Sequence, residues 1–484
     1  MNKTDFKKIS DYIWEIPKSY RDDMRVPARV FVNEKLAGDL FKDRSLEQLV
    51  NVATLPGIQK WALAMPDIHE GYGFPIGGVA AFDVKNGVIS PGGIGYDINC
   101  GVRLIKTPVT YQEIKTKILE LATHLYNEVP SGVGRGGRLK LVNKELDEVL
   151  LKGVDKMVES GYATEDDKKH CESLGRLTDA EPDLVSKTAK DRGRDQLGTI
   201  GSGNHFVEVQ RVDEIFDKEA AKALGLFENQ VTIMVHCGSR GLGHQNATDY
   251  IRIMMSAMPK YGIQLPDPEL ACAPYSSPEG QNYWKSMTAC ANFAWANRQF
   301  ITWEIREAWR KTFGSPSTSS GYKSAEELKL IYDVAHNLAK LEEYGGQKVV
   351  VHRKGATRAF PPEHPETPEL YKKVGQPVLI PGSMGTASYV LVGQPGAMEF
   401  AFGSSCHGAG RVMSRTRAKR QVRGSVLKEE LEKQGIAVRS GSLSGLAEEA
   451  PIAYKDVEEV VNVVHNAGLA KKVARLKPVA VIKG

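Results

Sequence analysis

Apolar and polar residues along the chain follow two periods, and each period predicts a different element. Apolar residues recur every three or four positions over 110–129 and 282–313, the spacing of an amphipathic helix. Short runs rich in β-branched residues, each ended by a turn with glycine or proline, predict strands. These runs lie at 231–236, 348–353, 377–380 and 389–392. We therefore predict an α+β fold with a central layered β core surrounded by helices.

The composition is that of a soluble globular protein and gives no sign of separate domains. The 484 residues are 41% hydrophobic and 25% charged. Glycine-rich stretches are spread along the chain, and no repeat, low-complexity tract or long linker divides it. We predict one large catalytic unit over residues 1–484.

The N-terminal segment, the net charge and the cysteines indicate the compartment of the protein and the partners it can bind. The segment MNKTDFKKISDYIWEIPKSY lacks the apolar core of a signal peptide, and no run approaches the roughly 18 apolar residues of a membrane span. We therefore expect a cytoplasmic protein with no membrane partner. A formal net charge of +5 permits a polyanionic partner without requiring one. Six irregularly spaced cysteines argue against a disulfide framework and leave thiols available as ligands.

One short stretch, GGIGYDINCGVRL at 92–104, places a carboxylate and a thiol three residues apart among glycines. Glycine lets the backbone fold closely around something small, and a metal ion is the leading candidate for Asp97 and Cys100. The same pairing also occurs by chance, so this stretch alone does not decide the question.

Four histidines occupy a shared setting, next to predicted strands and glycine-rich turns, where a rigid sheet can present reactive groups. They are His205, His236, His336 and His407. With Asp97 and Cys100, the first three form a mixed set of hard and soft ligands suited to borderline divalent metals. A thiolate can bridge two ions. Spacing alone does not show that these residues meet, because dispersed metal sites have no local signature.

Two other features have a structural interpretation at this stage. Cys237 points to the opposite face from His236 if the strand continues through both residues. The aromatic-rich helix at 282–313 is interpreted as packed core rather than as a surface for stacking bases.

Several segments, in this order along the chain, closely resemble the RtcB family of RNA ligases. They are LPGIQKWALAMPDIHEGYGFPIGGVAAFD (55–83), ISPGGIGYDINCGVRL, LGTIGSGNHFVEVQ, VHCGSRGLGHQ, YDVAHN, VHRKGATRAFPP (351–362), LIPGSMGTASYVL (379–391), FGSSCHGAGRVMSR (402–415) and the final KG. The resemblance covers essentially the whole chain. It implies an enzyme that joins RNA ends with a 3′-phosphate or 2′,3′-cyclic phosphate to ends with a 5′-hydroxyl.

The resemblance also implies two manganese ions and GTP as guanylyl donor. Asp97, Cys100 and His205 are expected around one ion, and Cys100, His236 and His336 around the other. The ligand types alone suit zinc at least as well, so the expectation of manganese comes from the family resemblance and not from the ligands. His407 is the expected nucleophile, which forms a covalent GMP-histidine before an RNA-(3′)pp(5′)G intermediate.

The residues expected around GTP come from several segments of the resemblance. They are Asn204, His205, Phe206, Val207, Glu208, His336, Asn337, Pro381, Gly382, Ser383, Met384, Ser388, His407, Gly408, Ala409, Gly410 and Lys483. Glu208 can accept from the N1 and N2 edge of guanine, and Lys483 can donate to its O6 atom. Candidates for contacts with RNA phosphates are Arg192, Arg240, Arg411 and Arg415.

The expected biological substrates are tRNA exon halves in tRNA splicing, with RNA repair as a further role and an archease-type protein as a possible activator. Two alternatives stay open. A two-metal phosphoesterase acting on RNA ends would use the same ligands without a histidine nucleophile. A non-enzymatic RNA-binding protein would bind RNA whether or not Cys100 were present. Asp67 and His69 are either supports of the site or part of a buried polar turn.

Overall fold

A computed structural model describes residues 1–132, 136–314 and 325–484 of the chain. The strands are β1 (Lys7–Ser10), β2 (Ile13–Ile16), β3 (Ala28–Phe31), β4 (Ile58–His69), β5 (Ile76–Asp83), β6 (Val88–Ile89), β7 (Gly101–Thr110), β8 (Phe206–Ile215), β9 (Gln230–Cys237), β10 (Ala273–Pro274), β11 (Lys329–Ala335), β12 (Asn337–Tyr344), β13 (Gln347–Lys354), β14 (Ala356–Arg358), β15 (Pro377–Ile380), β16 (Ser388–Gly393), β17 (Ser404–Cys406), β18 (Ala437–Ser440) and β19 (Ala470–Lys483). The helices are α1 (Ser45–Val52), α2 (Tyr111–Ile114), α3 (Ile118–Glu128), α4 (Asn143–Lys152), α5 (Val154–Glu159), α6 (Glu165–Lys169), α7 (Lys187–Gly193), α8 (Lys218–Leu224), α9 (Arg240–Ala257), α10 (Pro278–Phe313), α11 (Pro395–Ala401), α12 (Arg415–Gln421), α13 (Gly424–Lys433), α14 (Leu443–Glu448) and α15 (Val457–Asn466).

Two large sheets form the β core, and helices surround them, which confirms the predicted α+β class. One sheet has seven strands in the order β1-β2-β3-β4-β5-β13-β12. The other has eight strands, β11-β7-β9-β8-β19-β16-β15 with β18 beside β19. All four strands predicted from the β-branched runs are present as β9, β13, β15 and β16.

Antiparallel pairing brings chemically important strand ends to one end of the eight-stranded sheet. The start of β7 pairs with the end of β9 at Gly101 and Cys237. The start of β8 pairs with the end of β9 at Phe206 and His236. Ala335 at the end of β11 also pairs with Gly101, so four strands contribute a terminus to the same place.

A single residue links the two sheets at this place. β11 ends at Ala335 in the eight-stranded sheet, and β12 begins at Asn337 in the seven-stranded sheet. His336 is the residue between them. Its backbone is fixed on both sides, because His336 N–H donates to Cys100 O over 2.8 Å and Ala356 N–H donates to His336 O over 3.1 Å.

The long helix α10 packs through the core against the eight-stranded sheet and four other helices, α3, α4, α5 and α9. Pro278 occupies its first turn, Ser277 caps it by accepting from Gly280 N–H, and it ends before Gly314, whose φ is 85°. The helix predicted over 282–313 is therefore confirmed. The helix predicted over 110–129 is divided into α2, a 3₁₀ turn at Lys115–Lys117 and α3. This division buries Ile114 and Ile118 and leaves the polar turn between them largely exposed.

None of the helices within the described ranges is both long enough and apolar enough to cross a membrane.

Candidate active site

Cys100, His236 and His336 bring their side chains together at the shared end of the strands. Cys100 Sγ lies 3.3 Å from His236 Nε2, and His236 Nε2 lies 3.2 Å from His336 Nε2. All three residues are buried. Ligand atoms bound to one tetrahedral ion at 2.0–2.3 Å lie about 3.3 to 3.8 Å apart, so the group is close to the geometry of a metal site.

A second group shares the same thiol. Cys100 Sγ lies 3.3 Å from His205 Nε2, and His205 Nε2 lies 2.9 Å from Asp97 Oδ2. Asp97, Cys100 and His205 form one possible metal-binding group, and Cys100, His236 and His336 form the other. The arrangement is the one expected of a thiolate that bridges two ions.

The electrostatics of these residues fit a bound cation. Burial, together with the Asp97 charge, raises the pKa of Cys100 to about 12. Burial alone would raise the pKa of Asp97, but its interaction with His205 lowers that pKa to about 2. A divalent cation stabilises a thiolate in such a setting. The soft sulfur, the imidazoles and one carboxylate suit a borderline transition metal better than calcium or magnesium.

Cys237 faces away from His236, as predicted, but it lies close to His205 of the group formed by Asp97, Cys100 and His205. Its Sγ lies 3.8 Å from His205 Nδ1, on the opposite side of the imidazole from Cys100. Cys237 therefore packs behind His205 and contributes to the orientation of that ring.

His407 lies directly after the short strand β17, beside the same group. Its ring centroid is 4.7 Å from that of His336. Asp67 Oδ2 is 2.6 Å from His407 Nδ1 and accepts from the backbone N–H groups of His407 and Gly408, each over 3.2 Å. Since Nδ1 is occupied by Asp67, His407 can act on a substrate through Nε2.

Asp67 is the partner that the sequence left undecided. It lies in β4 of the seven-stranded sheet and is fully buried. Gly410, whose φ is 78°, packs so closely that an added Cβ would lie 2.3 Å from Asp67 O. The only sign of this role in the sequence was the polar stretch PDIHEG, which contains Asp67. Its connection to His407 spans 340 positions of sequence, which no local pattern reveals.

A cavity of about 370 Å³ opens in front of His407 and the two groups. Ligand pockets have volumes of about 300 to 1,000 Å³, so it has the size for a nucleotide. Most residues predicted around GTP line it. They are Asn204, Phe206, Glu208, His336, Asn337, Pro381, Gly382, Ser383, Met384, His407, Gly408, Ala409, Gly410 and Lys483.

The three other residues predicted around GTP lie outside the cavity wall. His205 contacts Asp97 and Cys100 instead. Val207 is fully buried in β8, with its side chain in the core. Ser388 contacts a residue of the wall without lining the cavity itself. Its Oγ accepts from the N–H of the wall residue Gly382 over 3.2 Å and from Gln210 Nε2 over 3.0 Å.

Glu208 and Lys483 form a buried polar end of the cavity. They lie on paired strands, because Val481 of β19 is opposite Glu208 of β8 and Lys483 is opposite Phe206. Burial raises the pKa of Glu208 to about 8 and lowers the pKa of Lys483 to about 8. The apolar run Val479–Ile482 is buried and anchors Lys483 within the sheet.

The four predicted RNA-contacting arginines fall into two pairs. Arg411 and Arg415 line the cavity, and both form ion pairs with Glu449 over 3.2 Å. Arg192 and Arg240 lie outside the wall. Arg192 donates to Gln245 Oε1 over 2.8 Å, and Arg240 donates to Thr199 Oγ1 over 3.0 Å.

Sequence reasoning missed several other residues of the wall, among them Lys354, Glu449 and Tyr454. Lys354 Nζ donates to the carbonyl oxygens of Tyr72 and Phe74, and burial lowers its pKa to about 7. Tyr454 contacts Glu449 and Arg411. The resemblance included the segment with Lys354 but gave that residue no role.

The fold and site define a protein with a centre of buried cysteine and histidine side chains and a partly buried aspartate, beside a carboxylate-held histidine in a nucleotide-sized cavity. The family described as tRNA-splicing ligase RtcB matches residues 48–484. The chain is 57% identical to the tRNA-splicing ligase RtcB of Thermococcus kodakarensis and 56% identical to that of Archaeoglobus fulgidus; each alignment covers 99% of this chain and 98% of the relative. It is 53% identical to the protein of the same name from Methanococcus maripaludis, over the full length of both. The chain belongs to the RtcB family of tRNA-splicing ligases.

Proposed function

We propose that this protein is a GTP-dependent RNA ligase that joins 3′-phosphate or 2′,3′-cyclic phosphate ends to 5′-hydroxyl ends. Its proposed substrates are tRNA exon halves, and an archease-type protein is a proposed activator. Family membership supports RNA ligation. The observation that carries the histidine chemistry is the bond between His407 Nδ1 and Asp67, which leaves Nε2 facing the cavity.

In the first step, His407 Nε2 attacks the α-phosphorus of GTP. The bond from that phosphorus to the β-phosphate oxygen breaks, pyrophosphate leaves and GMP remains on the histidine as a phosphoramidate. The Asp67 carboxylate stabilises the positive charge that develops on the imidazole ring. The small residues Gly408, Ala409 and Gly410 allow phosphate to approach the backbone closely.

Two transfers complete the proposed reaction; a cyclic end is first hydrolysed, with water attacking the phosphorus and the 2′-oxygen leaving as a hydroxyl, to give a 3′-phosphate. An oxygen of the 3′-phosphate attacks the phosphorus of the histidine adduct, and His407 leaves, which gives RNA-(3′)pp(5′)G. The 5′-hydroxyl then attacks the RNA 3′-phosphorus, loses its proton, and GMP leaves. Each step depends on alignment and charge stabilisation more than on proton transfer.

Two manganese ions are the proposed metals, one held by Asp97, Cys100 and His205 and the other by Cys100, His236 and His336. When bound, the ions would neutralise charge on the phosphate oxygens. His205 is oriented for this role by Cys237, which contacts its other ring nitrogen, Nδ1, and His336 is held by its backbone bonds to Cys100 and Ala356.

Ligation of a defined 3′-phosphate RNA to a 5′-hydroxyl RNA, in the presence of GTP and manganese, tests this function. The expected product is a joined strand, with no product when GTP is omitted. Hydrolysis of the RNA phosphate without joining, and without retention of label from α-labelled GTP, would instead indicate the phosphoesterase.

Replacing Asp67 with asparagine should slow guanylylation by roughly 10²- to 10⁴-fold, because the amide neither fixes the productive histidine tautomer nor stabilises the charged ring. The measurement is single-turnover labelling by α-labelled GTP. Unchanged manganese stoichiometry and unfolding temperature would show that the site is otherwise intact. Labelling of D67N at the wild-type rate would exclude this role for Asp67.

Glu208 and Lys483 should set the preference for guanine. E208Q and K483M should each weaken GTP binding by about 1 to 3 kcal/mol, the value of a hydrogen bond to a charged group, and narrow the preference over ATP. Glu208 is ionised only above about pH 8, and Lys483 is charged only below about pH 8. Wild-type affinity should therefore peak near pH 8. E208Q should lose the acidic limb and K483M the alkaline limb; a profile that keeps both limbs in both variants would contradict the assignment.

An exposed basic surface continues from the cavity along α12 and should bind RNA phosphates. Arg415 starts the helix at the cavity rim. Arg417, Arg420 and Arg423 are exposed, and among the described residues their guanidinium groups have no ion-pair partner. Neutralising all three with glutamine should weaken RNA binding and reduce the salt slope by roughly 0.7 per lost phosphate contact. Guanylylation should be unchanged.

The matched control for this surface is K222Q/K348Q/K373Q, which removes the same charge from exposed lysines outside the cavity wall. RNA binding measured by filter retention over a range of salt concentrations separates the two variants. Equal losses would indicate an effect of net charge and not of the α12 surface.

A further inference from the structure

Two polar residues lie side by side in the middle of α10, a helix that otherwise supplies the core. Asn297 and Arg298 are fully buried. Burying a guanidinium is costly unless it is paired and hydrogen-bonded. The partners of these two residues therefore indicate what their placement achieves.

Arg298 uses all five of its N–H donors. Its Nη1 donates to Asn99 O over 2.7 Å and to Cys237 O over 2.9 Å. Its Nη2 donates to Asn99 Oδ1 over 3.2 Å and to Asp333 Oδ1 over 2.8 Å. Its Nε donates to Asp333 Oδ2 over 2.8 Å. The guanidinium is thus fully satisfied.

Each of these acceptors lies within three residues of a member of the group formed by Cys100, His236 and His336. Asn99 directly precedes Cys100, Cys237 directly follows His236, and Asp333 lies three residues before His336. One guanidinium therefore connects the three separate chain segments that carry this group.

Asn297 makes the corresponding connection for the segment that leads to His205. Its Oδ1 accepts from Gly198 N–H over 2.7 Å and from Thr199 N–H over 3.2 Å. Its Nδ2 donates to Gly238 O over 3.1 Å and contacts Cys237 Sγ at 3.4 Å. The two neighbouring residues of α10 together hold every segment that carries a histidine of the two groups.

The backbone beside Cys100 needs this support. Asn99 has a φ of 51°, in the left-handed region that costs energy for a residue with a side chain. Its side chain also donates to Ala291 O of α10 over 2.7 Å. Contacts from α10 hold Asn99 in this conformation, and that conformation directs Cys100 towards both histidine groups.

We propose that Arg298, assisted by Asn297, is a positioning residue that sets the spacing of the cysteine and histidine ligands before a metal binds. This role rests on the proposed metal site. Arg298 touches neither the cavity nor a ligand side chain, so its effect acts through the backbone of the ligand segments.

Arg103 is a matched control for the buried charge. It is equally buried, and its Nε donates to the same Asp333 Oδ2 over 2.8 Å. Its remaining donors reach Gln299, Thr302 and Cys171, none of which adjoins a proposed ligand. Loss of Arg103 therefore removes a buried ion pair and the contacts of β7 with Gln299 and Thr302 of α10, but it leaves the bonds from Arg298 to Asn99 and Cys237, the neighbours of Cys100 and His236, in place.

The test compares R298M and R103M in the full-length protein. Manganese affinity is measured by calorimetric titration of the metal-free protein, and the unfolding temperature is measured without metal. Electron paramagnetic resonance of the manganese-loaded protein records the spectrum of two magnetically coupled manganese ions. Both variants should be less stable. R298M alone should lose at least about tenfold in manganese affinity, the lower end for partners that orient ligands, together with the coupled-ion spectrum. Wild-type affinity in R298M, or an equal loss in R103M, would overturn the proposal.

R298K keeps the test decisive if R298M does not fold. Lysine retains a charge for Asp333 but lacks the planar fork that reaches Asn99 and Cys237 together. R298K should regain stability without regaining manganese affinity, and recovery of wild-type affinity would overturn the proposal. If wild-type protein bound no manganese, the proposed cofactor would be wrong, and the same comparison with zinc would decide the role of Arg298.

Discussion

Replacement of His407 with alanine is expected to abolish covalent attachment of GMP and leave metal binding intact. The imidazole supplies the attacking nitrogen, and alanine has no atom that can replace it. His407 belongs to neither of the two metal-binding groups, so the number of manganese ions bound per chain should remain that of the wild type. Ligation should fall to background, because the later steps use the histidine adduct.

Denaturing electrophoresis after incubation with α-labelled GTP and manganese measures this adduct. In the wild type the label should be lost in acid and retained in alkali, as for a phosphoramidate. H364Q is a suitable control, because His364 packs on Phe360 and lies outside the cavity wall. Retention of label by H407A would remove His407 from the nucleophilic role.

The fold was predictable where periodicity was strong and local. β9, β13, β15 and β16 contain uninterrupted apolar runs, and α10 keeps its helical spacing over its whole length. The break between α2 and α3 was not predictable, because its 3₁₀ turn carries helix-compatible residues and no glycine or proline. Strand order was also beyond reach, since it depends on pairings between segments far apart in sequence.

The types of the site residues were visible in the sequence, but their meeting was not. Cys100, His236 and His336 come together because β7, β9 and β11 pair antiparallel in one register, which spacing does not encode. Asp67 was considered as a possible support of the site, but its pairing with His407 could not be predicted because Asp67 belongs to the other sheet. The role of Arg298 could not be predicted for a different reason. A polar residue in an apolar helix cannot be told from any other hydrogen-bonded core residue until its acceptors are known.

Replacement of Cys100 with serine is expected to remove both metal ions, whereas replacement of Asp97 with alanine should primarily weaken one. Cys100 Sγ lies 3.3 Å from both His205 Nε2 and His236 Nε2, and it is the only residue common to the two described groups. A neutral hydroxyl is a much weaker ligand than a thiolate for a borderline metal. Without the bridge, each group is left with two ligands.

Elemental analysis of protein purified with manganese and desalted measures the loss. C100S should retain less than one ion per chain, D97A should retain more than C100S, and guanylylation of C100S should be at background. C272S is the matched control, because Cys272 is also a buried thiol, packed among apolar residues of the seven-stranded sheet and outside both metal-binding groups, and it should retain full occupancy. Oxidation of wild-type Cys100 should reproduce the C100S result, since a sulfinate or sulfonate no longer offers the bridging sulfur lone pairs. Two ions bound at full occupancy in C100S would show that the thiol does not connect the two groups, and the histidines and Asp97 would then have to hold the ions separately.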